Sequence, residues 1–597
     1  MKILGLMSRP NVPHSHDGSA SLIIDNQIVC AIEQERLTRN RYAVEQGCAD
    51  AAKMCLEQAG LQLSDVDYIA YGWLEKLASG TPLSERISVS NELTPIILPP
   101  EMFGYKEPPP IHFVHHHYTH VAVTYLTSGF DSAAVLIIDG QGEGEAISLY
   151  HAQGSEMKLL ESYPIINSLG MMYGAAGAYA GLGWLSGPGK IMGLAPFGQV
   201  REPIDFHFDR TAGEFHLPPF IVNAIESAAT TPTASDMGMF WLDYFEKHLY
   251  PYTSCFGIKW EEARKGHTIP AYDKKYFASH YDIVHYVDFA ATIQHTLERV
   301  VHSVVERLKD LTGEDNLVLS GGCALNCSMN AYLSEQKIFD NLYVFPAAND
   351  AGCSIGAALA LAHELAPAAS PSERLIAPDF GRSYSDEEIT KAIMAYGFKP
   401  EKLCSEELAE RVATDLADHK IVAWFRGKDE FGPRALGRRS FMANPSKRAT
   451  LGRLNKIKGR EMWRPLAPSI LDEHAETVLE RCMERGLHRY MLGVAHIRPE
   501  WRRKVPAVVH VDFSTRPHFV ERKHDGSYWQ VINGFYEKTG IPLVCNTSLN
   551  VAGQPLVHTP EQVLDIFTTQ DDVHTLVIEG FYLTKDSPLD EKMAWYV

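Results

Sequence analysis

Residues 114–120, VHHHYTH, and residues 133–140, AAVLIIDG, indicate the fold class of this chain. The second stretch is an apolar run that ends in Asp139 and a glycine, a pattern typical of a buried strand that reaches a loop. In the first stretch, His116 and His120 are four residues apart, so on a helix both imidazoles would lie on one face. A helix followed by a buried strand predicts an α/β protein.

A similar unit occurs earlier in the chain. Residues 3–6, ILGL, are strand-like, and residues 21–30, SLIIDNQIVC, form two alternating runs around the turn pair Asp25-Asn26. The later unit has a strand at 133–138, a turn at 139–144 and a second strand at 146–150. Two such hairpins predict a duplicated α/β domain with a nucleotide between its halves. Two hairpins can also resemble each other by chance.

Further along, helix-like and strand-like segments alternate. The periodicity predicts helices at 283–308 and 355–365 and strands at 316–320 and 341–346. The stretch APAASPS, residues 366–372, has no periodicity and predicts a linker. We therefore expect one α/β domain at 1–366, a linker at 367–376 and a second α/β domain at 377–597. Residues 200–280 carry few motifs and are interpreted as an insertion or a lid.

Size and composition restrict the class of protein. The chain has 597 residues, with 55 Lys and Arg against 74 Asp and Glu, for a formal charge of −19. About two to four domains are expected at this length, and the acidic balance disfavours nonspecific nucleic-acid binding. The start MKILGLMS lacks the features of a signal peptide. No apolar stretch is long enough to span a bilayer. The ten cysteines form no C-x-x-C pair. A cytoplasmic protein with reduced thiols and no membrane contact is the simplest interpretation.

Histidines and strand-end aspartates together suggest a metal site. Asp139 and Asp350 each follow a predicted strand, where a carboxylate needs a partner. With His116 and His120 they would supply two nitrogens and one or two oxygens, a donor set that suits a divalent transition metal with open positions for substrate. For the histidine pair alone, a solvated turn or a capped helix start is the more frequent explanation, and the two strand-end aspartates turn the balance toward a metal site.

Two further stretches suggest phosphate binding. Residues 320–326, SGGCALN, place Gly321 and Gly322 between a strand and a helix, where backbone amides can approach an anion, although a tight strand–helix turn would look the same. In residues 432–440, GPRALGRRS, proline suits a first helical turn, which would put Arg434 and Arg438 on one face. Residues 456–464 add four cations. We interpret this dense positive charge as a triphosphate pocket, with a solvated charged face as the alternative.

The same motifs carry a family resemblance. The chain resembles the O-carbamoyltransferases of antibiotic and nodulation-factor biosynthesis, which include the tobramycin, cephem, novobiocin and ansamycin carbamoyltransferases. The resemblance runs almost from end to end. Its motifs are HDGSASL from His16, QERLTR at 34–39, HHxxH from His116, DGQGE from Asp139, GKIMGLAPFG from Gly189, SGGCALNCSMN from Ser320, NDAG from Asn349, GPRALGRRS from Gly432, GREMWRPLAP from Gly459, HVDFSTRP from His510 and NTSLN from Asn546.

The resemblance implies an N-terminal duplicated domain of the actin-like ATPase type, similar to the tRNA threonylcarbamoyl transferase, and a C-terminal YrdC-like α/β domain. It implies that carbamoyl phosphate and ATP, with Mg²⁺, react at the C-terminal site to give carbamoyl adenylate. The carbamoyl group would then pass to a hydroxyl of a small metabolite at the N-terminal site. No nucleic-acid or membrane partner is expected, and the oligomeric state is left open, with a homodimer as one candidate.

Roles for individual residues follow from the resemblance. It implies catalytic roles for His16 as general base, Asp17 as its orienting partner, Lys458 and Arg464. The metal, Fe²⁺ or a similar ion, would be held by His116, His120, Asp139 and Asp350. Nucleotide or carbamoyl phosphate would be bound by a larger set, some of whose members are our additions to the family pattern: Gly321, Gly322, Asn326, Arg434, Arg438, Arg460, Arg516, Asn546 and Ser548.

Several positions depart from the family pattern. Gly18, Cys323 and Leu549 stand where Ala, Val and Phe are expected, and Arg41 stands where lysine is frequent. Residues 200–280 match no part of the pattern. We therefore expect these residues, together with residues 11–14, to determine which acceptor the protein selects. Two alternatives stay open: a tRNA-threonylcarbamoylating enzyme, which the acidic balance disfavours, and a regulatory protein that binds ATP without chemistry.

Overall fold

The computed structural model describes residues 1–10, 12, 14–73, 92–107, 111–201, 203–249, 286–367, 373–480 and 485–585. Residues 250–280 of the predicted insertion and 368–372 of the predicted linker lie outside the described residues, as do Asn11 and Pro13. Within the described part of the chain, no helix combines the length and the apolar character needed to cross a membrane.

The first part of the chain forms a five-stranded mixed sheet. Its strands are β1 (Lys2–Met7), β2 (Ser19–Ile24), β3 (Gln27–Glu33), β4 (Tyr68–Tyr71) and β5 (Ile111–Phe113). The order is β3-β2-β1-β4-β5, with an antiparallel meander β1–β3 and with β4 and β5 parallel to β1. Asp25 and Asn26 form the predicted hairpin turn, and both have the positive φ that such turns require.

A second five-stranded sheet repeats this topology. The chain continues with β6 (Ser132–Ile138), β7 (Glu145–Gln153), β8 (Glu156–Pro164), a separate ribbon of β9 (His207–Asp209) and β10 (Glu214–His216), β11 (Asn316–Ser320) and β12 (Asn341–Val344). The second sheet has the order β8-β7-β6-β11-β12, again with an antiparallel meander of three strands and two parallel strands. The two sheets therefore match strand for strand, and the duplication predicted from the two hairpins is present.

Helices cover these sheets. They are α1 (Gln34–Thr38), α2 (Ala49–Gln58), α3 (Pro100–Phe103), α4 (His116–Leu126), α5 (Leu169–Tyr179), α6 (Gly187–Leu194), α7 (Pro219–Glu226), α8 (Ala234–Tyr244), α9 (Val287–Thr312), α10 (Cys327–Gln336) and α11 (Cys353–Leu365). Helix α11 packs against both β1 and α4, and glycines permit the close approach: a Cβ at Gly356 would lie 2.0 Å from the Thr119 carbonyl oxygen. This packing brings the start of α11 beside the histidines of α4.

The C-terminal part contains a seven-stranded mixed sheet of order β19-β15-β20-β14-β13-β21-β22 and a small sheet of β16, β17 and β18. The strands are β13 (Ile421–Phe425), β14 (Arg439–Ala443), β15 (Ala467–Leu471), β16 (Leu479–Glu480), β17 (Ala495–Ile497), β18 (Ser514–Thr515), β19 (His518–Val520), β20 (Leu543–Ser548), β21 (Val573–Ile578) and β22 (Phe581–Thr584). The helices are α12 (Asp386–Ala395), α13 (Ser405–Ala417), α14 (Ala449–Ile457), α15 (Ala475–Val478), α16 (Arg485–Arg489), α17 (Pro499–Arg502), α18 (Gly526–Thr539) and α19 (Pro560–Thr569).

One expected helix is absent. Residues 431–438 form bends that lead into β14, so the prediction that Pro433 begins a helix with Arg434 and Arg438 on one face is wrong. The reason is local: Gly432 and Gly437 have φ of 111° and 91°, which no α-helix accommodates.

A buried clasp joins the two parts of the chain. Arg36 donates a hydrogen bond to the Gly432 carbonyl oxygen at 2.7 Å, and the Gly432 amide donates to Glu33 at 2.6 Å. Arg36 is fully buried and also bonds to Glu33 at 2.9 Å. Phe431 and Trp463 join the core of the duplicated part, so the two parts are packed together.

Candidate functional site

The predicted metal ligands converge at the junction of α4, β6 and α11. His116 Nε2 lies 3.4 Å from Asp139 Oδ2 and 3.6 Å from Asp350 Oδ1, and His120 Nε2 lies 3.8 Å from Asp350 Oδ1. One ligand atom from each of the four residues lies within 4.8 Å of the others. Such spacings suit atoms that each bind one ion at about 2.0–2.2 Å, so the four side chains fit a divalent transition metal.

Neighbouring groups orient these ligands. His116 Nδ1 lies 3.2 Å from the Gly72 carbonyl oxygen and His120 Nδ1 lies 3.0 Å from Ser320 Oγ, so each ring turns Nε2 toward the cluster. The Gly322 amide donates to Asp139 Oδ1 at 2.9 Å. The glycine turn after β11 therefore positions a carboxylate of the cluster, a use that sequence reasoning did not foresee.

Charge balance within the cluster perturbs its protonation. Burial lowers the pKa of His120, but the Cys353 thiol and the Asp350 carboxylate outweigh it and raise that pKa to about 9. Burial raises the pKa of Asp350, yet His116 and His120 hold it well below its usual range. Protons on the imidazoles thus compensate the buried carboxylates, and a bound cation would replace those protons.

His16 and Asp17 face the same region. His16 Nδ1 lies 3.1 Å from Asp17 Oδ2, as expected for an oriented imidazole. Burial lowers the pKa of His16, but Asp17, Asp350 and Asp139 together raise it to about 9. These carboxylates favour the protonated ring, so His16 would be neutral near pH 7 only when a cation bound to Asp139 and Asp350 offsets their charge.

A group of four arginines lies on the other side of the same space. Arg434, Arg460, Arg464 and Arg516 line one cavity with Asn546 and Ser548. Burial, followed by repulsion from Arg464 and Arg516, holds the pKa of Arg460 well below its usual range. Among the described residues, Nε of Arg434 and Nε of Arg516 have no hydrogen-bond partner. Crowded cations with free donors are the arrangement that an anionic ligand stabilises.

The cavity that connects these groups has a volume of about 1280 Å³. Its lining runs from His16, Asp139 and Asp350 to the four arginines, and it includes Gly322 and Asn326. Asn326 also caps α10 by accepting from the Met329 amide at 2.9 Å. His116 and His120 are fully buried behind the lining. The predicted metal and phosphate sites thus open into one space.

Three predicted residues are placed differently. Lys458 is buried and donates hydrogen bonds to the Ser548 carbonyl at 2.5 Å, to Ser548 Oγ at 2.9 Å and to the Asn550 carbonyl at 3.1 Å, so it holds the loop after β20. Arg438 pairs with Asp379 and Asp525 beside a smaller cavity. Gly321 approaches Ile138 closely with φ of 89° and does not line the large cavity.

Two residues at the site were missed by sequence reasoning. Cys353 Sγ lies 3.3 Å from His120 Nε2, and with His116 it completes a second possible donor set. Its position three residues after Asp350, at the start of α11, was the available signal. Arg41 comes from the first part of the chain, yet it lines the cavity and contributes to lowering the pKa of Lys458 and of Arg464.

Comparison with known proteins gives consistent matches over nearly the whole chain. The family profile described as carbamoyltransferase N-terminus matches residues 2–80, 97–223 and 255–359, and that described as carbamoyltransferase C-terminus matches residues 413–585. Nodulation protein NolNO of Sinorhizobium fredii is 34% identical over 585 residues, which cover 96% of this chain and 79% of that protein. Nodulation protein NolO of Bradyrhizobium diazoefficiens is 31% identical over 474 residues, 79% of each chain.

Among solved structures, full-length HypF in its phosphate- and nucleotide-bound form aligns with 62% of this chain and 56% of its own. The identity is 13% and the TM-score is 0.35.

Proposed function

Since the chain belongs to the carbamoyltransferase family, and is therefore an enzyme of that class, we propose that it is an ATP-dependent O-carbamoyltransferase with two reaction sites in one cavity. Its acceptor would be a hydroxyl group of a small natural product. The observation that carries the proposal is that a metal-type cluster and four crowded arginines line the same space.

The arginine side would form the activated intermediate. Water would first attack the phosphorus of carbamoyl phosphate, the bond from phosphorus to the carbamoyl oxygen would break, and carbamate and inorganic phosphate would form. A carbamate oxygen then attacks the α-phosphorus of ATP, the bond to the bridging oxygen breaks, and pyrophosphate leaves with that electron pair. Arg460, Arg464 and Arg516 are placed to neutralise the charge that develops on the phosphates, with Mg²⁺ supplied by the nucleotide substrate.

The histidine side would use that intermediate. The acceptor hydroxyl attacks the carbamoyl carbon, the bond from this carbon to the phosphate oxygen breaks, and AMP leaves. A divalent transition metal held by His116, His120, Asp139 and Asp350 would bind the nucleotide phosphate and stabilise this leaving group. His16, oriented by Asp17, lies at the cavity wall and would accept the hydroxyl proton in its neutral form.

We assign the two steps to two domains, an actin-like one at 1–366 and a YrdC-like one at 377–597, with the linker between. The separate sheet systems on either side of residues 368–372 support this division. The clasp of Glu33 and Arg36 on Gly432 would hold the two domains in a fixed orientation around the cavity.

The test is direct detection of carbamoyl adenylate. Purified protein is incubated with ATP, Mg²⁺ and carbamoyl phosphate without acceptor, quenched and analysed by mass spectrometry. We expect carbamoyl adenylate only when all three are present. A protein that binds ATP and shows no adenylate and no pyrophosphate would be a binding protein, and the proposal would be wrong.

A further inference from the structure

One wall of the large cavity differs in character from the rest. It is lined by Met171 on α5, Trp184 and Leu185 in the loop before α6, Met192 on α6, and Met239 and Leu242 on α8. We call these six residues the apolar wall. Within the described part of the chain, no cavity-lining residue between positions 170 and 242 carries a charged side chain. Charged groups line the cavity elsewhere, among them the arginines, the carboxylates of the metal-type cluster, Glu33 and Glu35 of the first part of the chain, and Glu298 and Glu335 of α9 and α10.

The apolar wall begins beside the reacting groups. A Cβ at Gly140 would lie 3.0 Å from Met171 Cε, so this methionine packs against the residue that follows Asp139. A molecule whose hydroxyl lies near Asp139 and His16 would therefore place its remaining surface against the wall.

Trp184 gives the wall a fixed flat face. Its indole lies between Gly174 of α5 and Gly238 of α8. A Cβ at Gly238 would lie only 2.3 Å from the indole Cη2, and one at Gly174 would lie 3.2 Å from its Cε2. Any side chain at position 238 would thus displace the ring. An aromatic face held in place in this way suits an apolar ligand surface, because little side-chain freedom is lost on binding.

Part of the wall is supplied by a segment that the family profile does not include. The N-terminal profile matches residues 97–223 and 255–359, and α8 falls between them. Yet α8 is well formed, with a capping box between Thr233 and Asp236, and Met239 on it is 57% exposed. A segment outside the matched family profile is better suited to recognise a variable substrate than the nucleotide that the proposed mechanism shares across the family.

We infer that the apolar wall binds the acceptor, and that the acceptor is an uncharged alcohol with a contiguous apolar body, such as a fused or aromatic ring system, next to its reacting hydroxyl. This inference rests on the proposed function. It predicts that polycationic amino sugars and simple hexoses bind the wall more weakly, because both cover less of the apolar surface of Trp184 and Met239 than a fused or aromatic ring system does.

The test combines ligand binding with the adenylate-forming step. The probes are 2-(1-naphthyl)ethanol as apolar alcohol, with glucose and glucosamine as polar comparisons. Binding is measured by saturation-transfer NMR in the presence of AMP, and the first step by ATP–pyrophosphate exchange with carbamoyl phosphate. The variants are Trp184→Ala, the conservative Trp184→Phe, and Met239→Glu, which adds a charge to the wall without removing a buried side chain. The matched control is Met394→Glu, since Met394 is 63% exposed on α12, outside the cavity.

In the wild type, we expect saturation transfer to the naphthyl probe and none to glucose or glucosamine. Trp184→Ala and Met239→Glu should weaken binding of the naphthyl probe about tenfold or more. Trp184→Phe and Met394→Glu should keep that binding. The rate of ATP–pyrophosphate exchange should stay within about twofold of wild type in all four variants. Binding of glucose or glucosamine without the naphthyl probe would overturn the inference, as would a raised KM for ATP in Trp184→Ala. A wild type without exchange would overturn the proposed function itself, and the inference with it.

Discussion

At the residue scale, Lys458 has the role that sequence reasoning described least well. Its ammonium group holds the Ser548–Asn550 loop and is surrounded by other cations. We predict that Lys458→Ala abolishes adenylate formation, with a loss of about a hundredfold or more, because Ser548 and the arginines lose their alignment. Transfer from chemically supplied carbamoyl adenylate should continue. The matched control is Lys456→Ala, two residues earlier and exposed. Equal loss of both steps in Lys458→Ala would contradict separate sites.

For His116 we expect the opposite effect on the two steps, with transfer lost and adenylate formation kept. His116→Ala removes the nitrogen that lies between the Asp139 and Asp350 carboxylates, so we predict loss of stoichiometric metal and accumulation of carbamoyl adenylate. Metal analysis and chromatography of quenched reactions give the two readouts. His363→Ala serves as control, because His363 belongs to none of the candidate metal groups among the described residues and bonds to the Ser155 carbonyl oxygen. If His116→Ala retained metal at full stoichiometry, His116 would not be a ligand of the metal.

Glu33 provides a prediction about pH. Burial raises its pKa to about 7, from 4.5 for an exposed carboxyl. Between these two values the folded state keeps a proton that the unfolded state has released, so the stabilising contribution is present below pH 4.5 and is lost as pH rises through 7. Glu33→Gln keeps a neutral side chain at the clasp. We predict that the variant gains about 3 kcal/mol relative to wild type between pH 4.5 and 8, measured by urea unfolding at each pH. A difference that does not vary with pH would contradict the shifted pKa.

At the element scale, the metal-type cluster depends on how closely α11 approaches α4. A Cβ at Gly356 would lie 2.0 Å from the Thr119 carbonyl oxygen. We predict that Gly356→Ala separates the helices, costs about 1–3 kcal/mol of stability and weakens metal binding, as measured by urea unfolding and by calorimetric metal titration. Gly526→Ala is the control, since a Cβ there meets no atom within 4 Å. Unchanged metal affinity in Gly356→Ala would show that the cluster tolerates this movement.

Local elements were predictable where the signal was local. The Asp25-Asn26 hairpin, the strand ending before Asp139 and the Ala-rich helix α11 follow from periodicity and turn residues within a few positions. The expected helix at 432–438 failed because Gly432 and Gly437 adopt positive φ values, and glycine accepts either sign of φ, so the sequence did not reveal which they take.

Side-chain partners were predictable only where a motif marked them. The cluster residues His116, His120, Asp139 and Asp350 were found from spacing and strand ends, and the structure brings them together. The partners of Arg438 lie 59 and 87 residues away in sequence, and nothing local pointed to them. The hydrogen bond from Arg36 of the QERLTR motif to Gly432 joins residues 396 positions apart, and nothing local pointed to it either.

At the scale of the whole molecule, one cavity of about 1280 Å³ unites contributions from both parts of an acidic chain. In the proposed reactions, the arginine side would form the adenylate from ATP and carbamoyl phosphate, the carboxylate and histidine side would serve the transfer step, and the apolar wall would bind the alcohol. The buried clasp and the shared core keep these surfaces facing one another.

The central claim is that ATP is cleaved between its α- and β-phosphates on the way to carbamoyl transfer. Phosphorus NMR of the wild-type reaction with ATP, carbamoyl phosphate and an accepted alcohol measures this directly. The account predicts one pyrophosphate and one AMP for each carbamoylated alcohol, with no ADP. Formation of ADP in step with product, or carbamoylated alcohol formed without ATP consumption, would contradict it.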